Sequence, residues 1–202
     1  MNDDYFQAMY AADPDPWGFG SRWYEQRKYA LTLGALPRAM YRRTFEPGCS
    51  IGVLSEQLAA RTDRLLAVDL VPAAVSQAAA RLDASDTATA ESVVRQWDMH
   101  KPWPEETFDL VVVSEVLYYL EAEQARGFVA DAREHLDPDG HLVLVHWRHE
   151  VPEYPLSGDE AHRIALSTPG LATMAHYEDV DLVLDVLTTG DRLSVAAEEG
   201  LR

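Results

Sequence analysis

A loop of small residues and two acids beyond it carry the chemistry that the rest of the chain must position. Thr44-Phe45-Glu46-Pro47-Gly48-Cys49-Ser50-Ile51-Gly52-Val53-Leu54 joins a short strand to a helix that starts at Val53. Small residues at 48, 50 and 52 let a ligand approach the backbone closely, and the helix start adds free N–H groups. Asp69 follows 17 residues after Gly52, at the end of the next strand. An acid at the carboxyl end of a strand in a doubly wound sheet can hold two ribose hydroxyls. After the third strand come Asp98 and Met99, an acid to accept from an adenine amino group and an apolar chain to cover the ring.

The loop fails the dinucleotide fingerprint, because Ser50 and Val53 stand where glycines would be needed. It also lacks the Gly-Lys-Ser/Thr ending of a phosphate-binding loop. Glu46-x-Gly48-x-Ser50-x-Gly52 therefore suits an adenosyl ligand that carries no phosphate.

A second set of candidates lies beyond the fourth and fifth strands. Glu115, Tyr118 and Tyr119 follow strand four, where an acceptor should lie. Glu115 could orient or deprotonate an amine, and Tyr118 belongs with it as a catalytic candidate. The two tyrosines read equally as packing aromatics. His146, Trp147 and His149 follow strand five at the same edge, and His146 is a candidate base because an imidazole titrates near neutrality. A satisfied structural histidine is the competing reading. His162 lies on a short helix that begins near Gly158, with Asp159 as a cap, and that helix is read as either an acceptor lid or packing. His146-x-x-His149-Glu150 matches neither zinc-binding helix pattern, so no metal is assigned.

The elements that must place these groups alternate. Leu65–Val68, Phe108–Val113 and His141–Trp147 are buried-strand runs, and Val71–Leu82 and Glu121–Leu136 have helical character. Strand, helix, strand, helix implies an α/β parallel sheet. Ahead of it, Tyr5, Phe6, Met9 and Tyr10 share a helical face, Asp13-Pro14-Asp15-Pro16 breaks the chain, and a second helix runs from about Ser21 to Leu36. Val180–Leu187 and Arg192–Ala197 are strand-like runs joined by Thr188-Thr189-Gly190-Asp191, which predicts a closing C-terminal hairpin. The expected organisation is one domain over 1–202. Residues 1–40 form a helical lid, 41–150 the cofactor-binding core, and 151–202 an acceptor-side segment with the hairpin.

Composition bounds the function. Lys+Arg 17 against Asp+Glu 34 gives a net charge of −17 over 202 residues. That balance argues against nucleic acid and anionic membrane surfaces, and a cationic or neutral small molecule is easier to admit. One cysteine, Cys49, excludes an intramolecular disulfide and a cysteine-rich metal site. No apolar run reaches the ~20 residues of a membrane span. The acidic start MNDDYFQAMYAADPDPW is not a signal peptide, so a cytoplasmic protein is expected, as a monomer or weak homodimer.

These residues together resemble class I S-adenosylmethionine-dependent methyltransferases and, more closely, the nodulation protein S family. Asp15-Pro16-Trp17 with Tyr24-Glu25-Gln26-Arg27-Lys28, the Glu46–Gly52 loop, Ser114-Glu115-Val116-Leu117-Tyr118-Tyr119-Leu120 and Leu136–Val143 carry the likeness, which covers roughly 4–147. The resemblance implies a Rossmann-like doubly wound sheet of seven strands, the last antiparallel, under an N-terminal helical cover. It implies S-adenosyl-L-methionine as cofactor, with Gly48, Ser50 and Gly52 against its methionine part and ribose. Asp69 would bind the ribose hydroxyls, Leu70 would lie beside the adenine that Asp98 and Met99 hold, and Ser114 would lie near the methionine. The segment Trp17–Lys28, including Tyr24, would fold over the cofactor with Lys28 or Arg27 near its carboxylate. Tyr119, Trp147, His149 and His162 are the acceptor-side candidates. Pro47 replaces the family's usual aliphatic residue, and 146–179 departs from the family pattern where the acceptor should bind. The implied reaction is N-methylation of an amine on a sugar or related metabolite. Small-molecule O-methylation, and cofactor binding without turnover, are the alternatives.

Overall fold

The structure, a computed structural model, describes residues 3–87, 91–191 and 194–201. Two helices lead, α1 (Asp3–Ala12) and α2 (Trp23–Ala35). The sheet strands are β1 (Tyr41–Pro47), β2 (Thr62–Asp69), β3 (Glu91–Gln96), β4 (Phe108–Ser114), β5 (Leu136–Trp147), β6 (Ala172–Glu178) and β7 (Leu182–Thr188). Between them lie α3 (Val53–Ala59), α4 (Pro72–Ala84), a 3-10 turn (Leu117–Tyr119), α5 (Ala122–His135) and α6 (Gly158–Leu166), and α7 (Val195–Glu198) ends the series.

The strand order is β3-β2-β1-β4-β5-β7-β6, with β7 antiparallel to both neighbours. The chain reverses direction across the sheet between β1 and β4, so the carboxyl ends of those strands open a crevice. Alternation along the central strands feeds both faces. Val111, Val113, Leu142 and Leu144 pack under α5 and α6, while Leu110, Val112, Val143 and Val145 pack under α2, α3 and α4. A strand buried on both faces reads as a continuous apolar run, which is why β4 was legible. Pro72 sits in the first turn of α4, and Ala74 and Ala78 are fully buried along its inner side.

The loop between β1 and α3 needs its glycines. Gly52 has φ +79, and a Cβ there would lie 2.8 Å from Ala78 Cα, so α4 packs against the loop backbone. Gly48 has φ +75, and its Cβ would meet Val116 at 2.2 Å.

The hairpin at the end of the sheet differs from the sequence expectation. β7 pairs with β6, which precedes it, and not with the run after it. Val195–Glu198 is a helical turn capped by Ser194, while Arg192 and Leu193 lie outside the described residues. Thr173 and Tyr177 carry β-favouring side chains, but this strand's burial is shallow, so its apolar signal was weak. Helix α6 is capped by Ser157, not Asp159: Ser157 accepts from the Glu160 N–H, and the Glu160 carboxylate accepts from the Ser157 N–H. Asp159 is held instead by the Arg148 guanidinium through bonds of 2.8 and 3.1 Å.

Candidate active site

A cavity of about 390 Å³ opens at the carboxyl ends of β1, β2 and β4 and runs under α1 and the 13–22 segment. That volume falls within the range of roughly 300–1,000 Å³ for small-molecule sites. Its wall includes Gly48, Ser50, Asp69, Leu70, Asp98, Met99 and Ser114 at one end, and Glu115, Tyr118, Tyr119 and Trp147 at the other. Tyr24 and Lys28 line it as well. Gly52 is the N-cap of α3, next to wall residues Ile51 and Val53.

At the first end the β1–α3 loop is tied to the end of β2. One Asp69 oxygen accepts from the Ser50 N–H at 2.8 Å and the other from the Val71 N–H at 2.9 Å. Burial pushes this carboxyl up, and the backbone donors oppose that rise. The Tyr10 hydroxyl of α1 meets Ser50 Oγ at 2.5 Å, so the cover is bonded to the loop. Asp98 accepts from the His100 N–H at 2.8 Å. Burial raises the Asp98 carboxyl, but the bonds to His100 outweigh it and hold it below its ordinary range. Glu46 is on the wall, buried, with Ser55 Oγ donating to it at 2.5 Å. Its burial pushes the carboxyl up to about 8.

Between the two ends lies a buried charge cluster. Lys28 is 1% exposed, and its Nζ lies 2.7 Å from Glu25 Oε2 and 2.9 Å from Glu115 Oε1. The rings of Phe19, Tyr24 and Tyr29 surround the ammonium at 5.4–5.6 Å. Burial lowers the Lys28 pKa, but Glu115 and Glu25 outweigh it and the ammonium is retained. Arg27 lies elsewhere. It reaches Asp179 at 2.7 Å and the Tyr177 hydroxyl at 2.6 Å beside the β6–β7 turn, and it is not on the wall. Of the two cations expected near the cofactor, one is spent on two carboxylates and the other faces away. Arg22 also lines the cavity and makes no ion pair among the described residues. The Tyr24 hydroxyl is buried there without a hydrogen-bond partner among the described residues.

At the other end Glu115 is a junction. Its backbone is left-handed, φ 59. One carboxylate oxygen accepts from Lys28, and the other accepts from the Tyr118 hydroxyl at 2.6 Å and the Trp147 N–H at 2.9 Å. Three donors from three segments thus converge on one carboxylate, which ties α2, the turn and β5 together. Tyr118 spends its hydroxyl on that same bond, and burial pushes the phenol far up. Its ring stacks on Tyr154 at 4.9 Å, and Tyr119 meets Phe6 of α1 edge-on at 4.9 Å.

The histidines do not sit as the sequence suggested. His146 is fully buried behind Tyr118, off the wall. Its Nε2 accepts from the Leu117 N–H at 3.1 Å, and burial holds the imidazole far below its ordinary pKa. A nitrogen already accepting from backbone inside the protein cannot take a proton from an acceptor in the cavity. His162 bonds His146 and Asp185 beneath the turn and also stays off the wall. His149 lies against Trp147 with the rings tilted and bonds Asp181 at 2.8 Å, half-exposed and off the wall. Of the four acceptor-side candidates only Tyr119 and Trp147 line the cavity.

The sequence reading gave no site role to Phe6, Tyr10 or Tyr154, which line the wall, while Trp17 and Arg22 reach it as part of the segment expected to fold over the cofactor. Phe6 and Tyr10 were visible as part of a helical stripe, and i, i+4 spacing does bring both to the cavity. Nothing in the spacing of Tyr154 marked it.

The family profile "Nodulation protein S (NodS)" matches residues 2–164. Nodulation protein S of Rhizobium tropici is 35% identical over 137 residues, covering 66% of this chain and 55% of that protein. The protein of that name from Sinorhizobium fredii is 34% identical, covering 66% and 61%. The chain thus matches little more than half the length of these curated relatives. Among solved structures, a candidate methyltransferase from Pseudomonas syringae is 40% identical, covers 83% of this chain and 99% of its own, and superposes with a TM-score of 0.70. The N-methyltransferase NodS from Bradyrhizobium japonicum, in complex with S-adenosyl-L-homocysteine, is 25% identical with a TM-score of 0.81, covering 93% and 98%. The chain belongs to the NodS family and carries the Rossmann-like methyltransferase fold.

Proposed function

We propose that this protein is an S-adenosylmethionine-dependent methyltransferase that acts on a small molecule, and that its acceptor is an amine on a sugar or related metabolite. Support for the cofactor comes from the loop and carboxylates at the first end, together with the S-adenosyl-L-homocysteine bound by the related NodS. The residues present fit such a molecule. Asp69 on the wall would meet ribose hydroxyls, Asp98 and Met99 would meet the adenine, and Arg22 and the Tyr24 hydroxyl, which lack an ion pair and a hydrogen-bond partner respectively among the described residues, would offer donors to the methionine head. S-adenosylmethionine supplies a methyl group already activated on a sulfonium.

This chain's own residues then have to align the acceptor and exclude water, which can supply most of the rate. Phe6, Tyr118, Tyr119, Tyr154 and Trp147 give that end flat apolar walls, suited to one face of a sugar ring.

The observation that favours nitrogen over oxygen is the state of the two candidate bases. Glu115 already accepts three donors, and His146 is buried with its Nε2 occupied. A hydroxyl acceptor needs a base to remove its proton as it attacks, whereas an amine that enters uncharged does not. The test is S-adenosylhomocysteine release with free amino sugars, their N-acetyl forms and hydroxylated metabolites. Turnover confined to free amines supports the reading. Turnover with acetylated or hydroxylated compounds replaces it with O-methylation, and cofactor binding without any turnover removes the catalytic reading.

A further inference from the structure

We propose that His146, His162 and Asp185 are positioning residues for methyl transfer, forming a hydrogen-bonded chain whose polarity holds the 115–120 turn at the acceptor end of the cavity. The proposal rests on the methyl-transfer reading only for the reaction that the turn serves.

The chain can be followed atom by atom. The Leu117 N–H donates to His146 Nε2 at 3.1 Å. His146 Nδ1 lies 3.0 Å from His162 Nε2, and His162 Nδ1 lies 2.5 Å from Asp185 Oδ2. The other Asp185 oxygen meets His176 Nδ1 at 2.9 Å, and His176 is half-exposed on β6. All three positioning residues are essentially buried, on three different elements: β5, α6 and β7.

The directions of these bonds are not free. A backbone N–H can only donate, so His146 Nε2 must be unprotonated and its Nδ1 must carry the hydrogen. His162 Nε2 must then accept, which places the hydrogen of His162 on Nδ1, where the Asp185 carboxylate receives it. Each imidazole is neutral with its proton on Nδ1, and the carboxylate fixes both tautomers. If His162 carried the opposite proton, His146 would have to accept at Nδ1. Its Nε2–H would then face the Leu117 N–H, donor against donor.

The turn is also held through Glu115 and by the bond from the Leu156 N–H to the Tyr118 carbonyl, but the Leu117 N–H finds no acceptor in its own turn. Leu117 opens the 3-10 turn, and its N–H is one of the donors that a helix start leaves unmet. The N-cap residue is Val116, which has no side-chain acceptor. His146 supplies the missing cap from the neighbouring strand. Val116, Tyr118, Tyr119 and Leu120 of that turn line the cavity. Glu115 enters the turn in a left-handed backbone conformation, which a residue with a side chain adopts only when its surroundings impose it. An apolar filling of the space would be no less stable in general. The polar chain is therefore explained by the turn it fixes.

The experiment compares His146→Leu with His146→Gln, whose amide oxygen can stand where Nε2 stands. In His146→Leu, exchange of the Leu117 amide should accelerate at least about tenfold, since its protecting bond is lost. S-adenosylhomocysteine affinity should stay within about twofold, while kcat/KM for the amine acceptor falls on the order of 100-fold through misplacement. His146→Gln should recover most of both the protection and the turnover. Nitrogen-15 shifts of the wild-type imidazoles should report Nδ1-protonated tautomers at His146 and His162. Wild-type turnover in a folded His146→Leu protein overturns the proposal. So does equal loss of cofactor affinity and turnover in both variants, or an Nε2-protonated tautomer at either histidine. If His146→Leu does not fold, the tautomers and the His146→Gln protein decide. If the wild-type protein methylates no amine, the acceptor reading fails, and amide exchange and the tautomers still decide the chain.

Discussion

The Lys28 ammonium lies 2.9 Å from Glu115 Oε1, joining α2 to the turn after β4 across the middle of the cavity. One partner comes from the N-terminal cover and the other from the acceptor wall, so the two halves of the site share a charge. Lys28 also answers Glu25 at 2.7 Å, so a single ammonium serves two carboxyl groups, and burial pushes the Glu25 carboxyl up.

Removing the ammonium should therefore be costly. Lys28→Met leaves Glu25 and Glu115 facing each other without compensation in a buried site, and breaking one partner of such a pair costs about 3–5 kcal/mol. Denaturant unfolding should show that loss. Glu115→Gln in the same background should return part of it, because the repulsion disappears. If Lys28→Met unfolds at the wild-type midpoint, the cluster carries no such charge.

Asp69 tests the cofactor end. Asp69→Ala should lower S-adenosylhomocysteine affinity by roughly a hundredfold, since hydrogen bonds to a charged group are worth about 1.5–3 kcal/mol each. The Ser50 and Val71 N–H groups also lose their acceptor in this variant. Asp69→Asn keeps an acceptor for one of them and separates charge from loop geometry. Calorimetric titration of both variants checks this, and unchanged affinity in Asp69→Ala removes Asp69 from the cofactor site.

Arg22 can be isolated with a truncated ligand. If its guanidinium meets the methionine carboxylate, Arg22→Met should weaken S-adenosylhomocysteine by about tenfold or more, the worth of one charge-assisted bond. Methylthioadenosine lacks that carboxylate, and its affinity should not change. An equal loss for both ligands would assign Arg22 to the fold of the 18–22 turn, where its side chain packs over Gly18.

The wall formed by the β1–α3 loop and Asp69 was legible because its signals are local. Gly48 and Gly52 are required by positive φ within one loop, and Asp69 is fixed by the length of one helix and one strand. The acceptor end was less so, because its geometry is made by distant segments. Glu115 was found, but the three donors that occupy it come from residues 28, 118 and 147. His146 was singled out as a base, and the structure buries it off the cavity wall with its Nε2 accepting from the Leu117 N–H. Alternation along β5 puts 146 on the face under α6, and only the register of β7 brings Asp185 to His162. Arg27 and Lys28 differ by one position on a helix, about a hundred degrees of turn. That one step sends Lys28 into the cavity and Arg27 to Asp179.

Glu46 makes the site sensitive to pH. Its ordinary pKa is 4.5, and burial raises it to about 8 in the folded protein, so folding favours the protonated carboxyl. The sign follows from proton counts: the folded state binds the proton more tightly, so this contribution is full below about 4.5 and is lost as pH rises through about 8. The ligand-free protein should lose stability from this group across that window, and Glu46→Gln should flatten the slope in unfolding curves taken at several pH values. Binding adds a second consequence. The ammonium of the cofactor's methionine head, brought beside a neutral carboxyl, should draw its proton off. At neutral pH, S-adenosylhomocysteine binding should release a fraction of a proton, and its measured enthalpy should vary with the ionisation enthalpy of the buffer. Glu46→Gln should abolish that variation. A wild-type enthalpy independent of buffer would mean that Glu46 does not change its charge when the cavity fills.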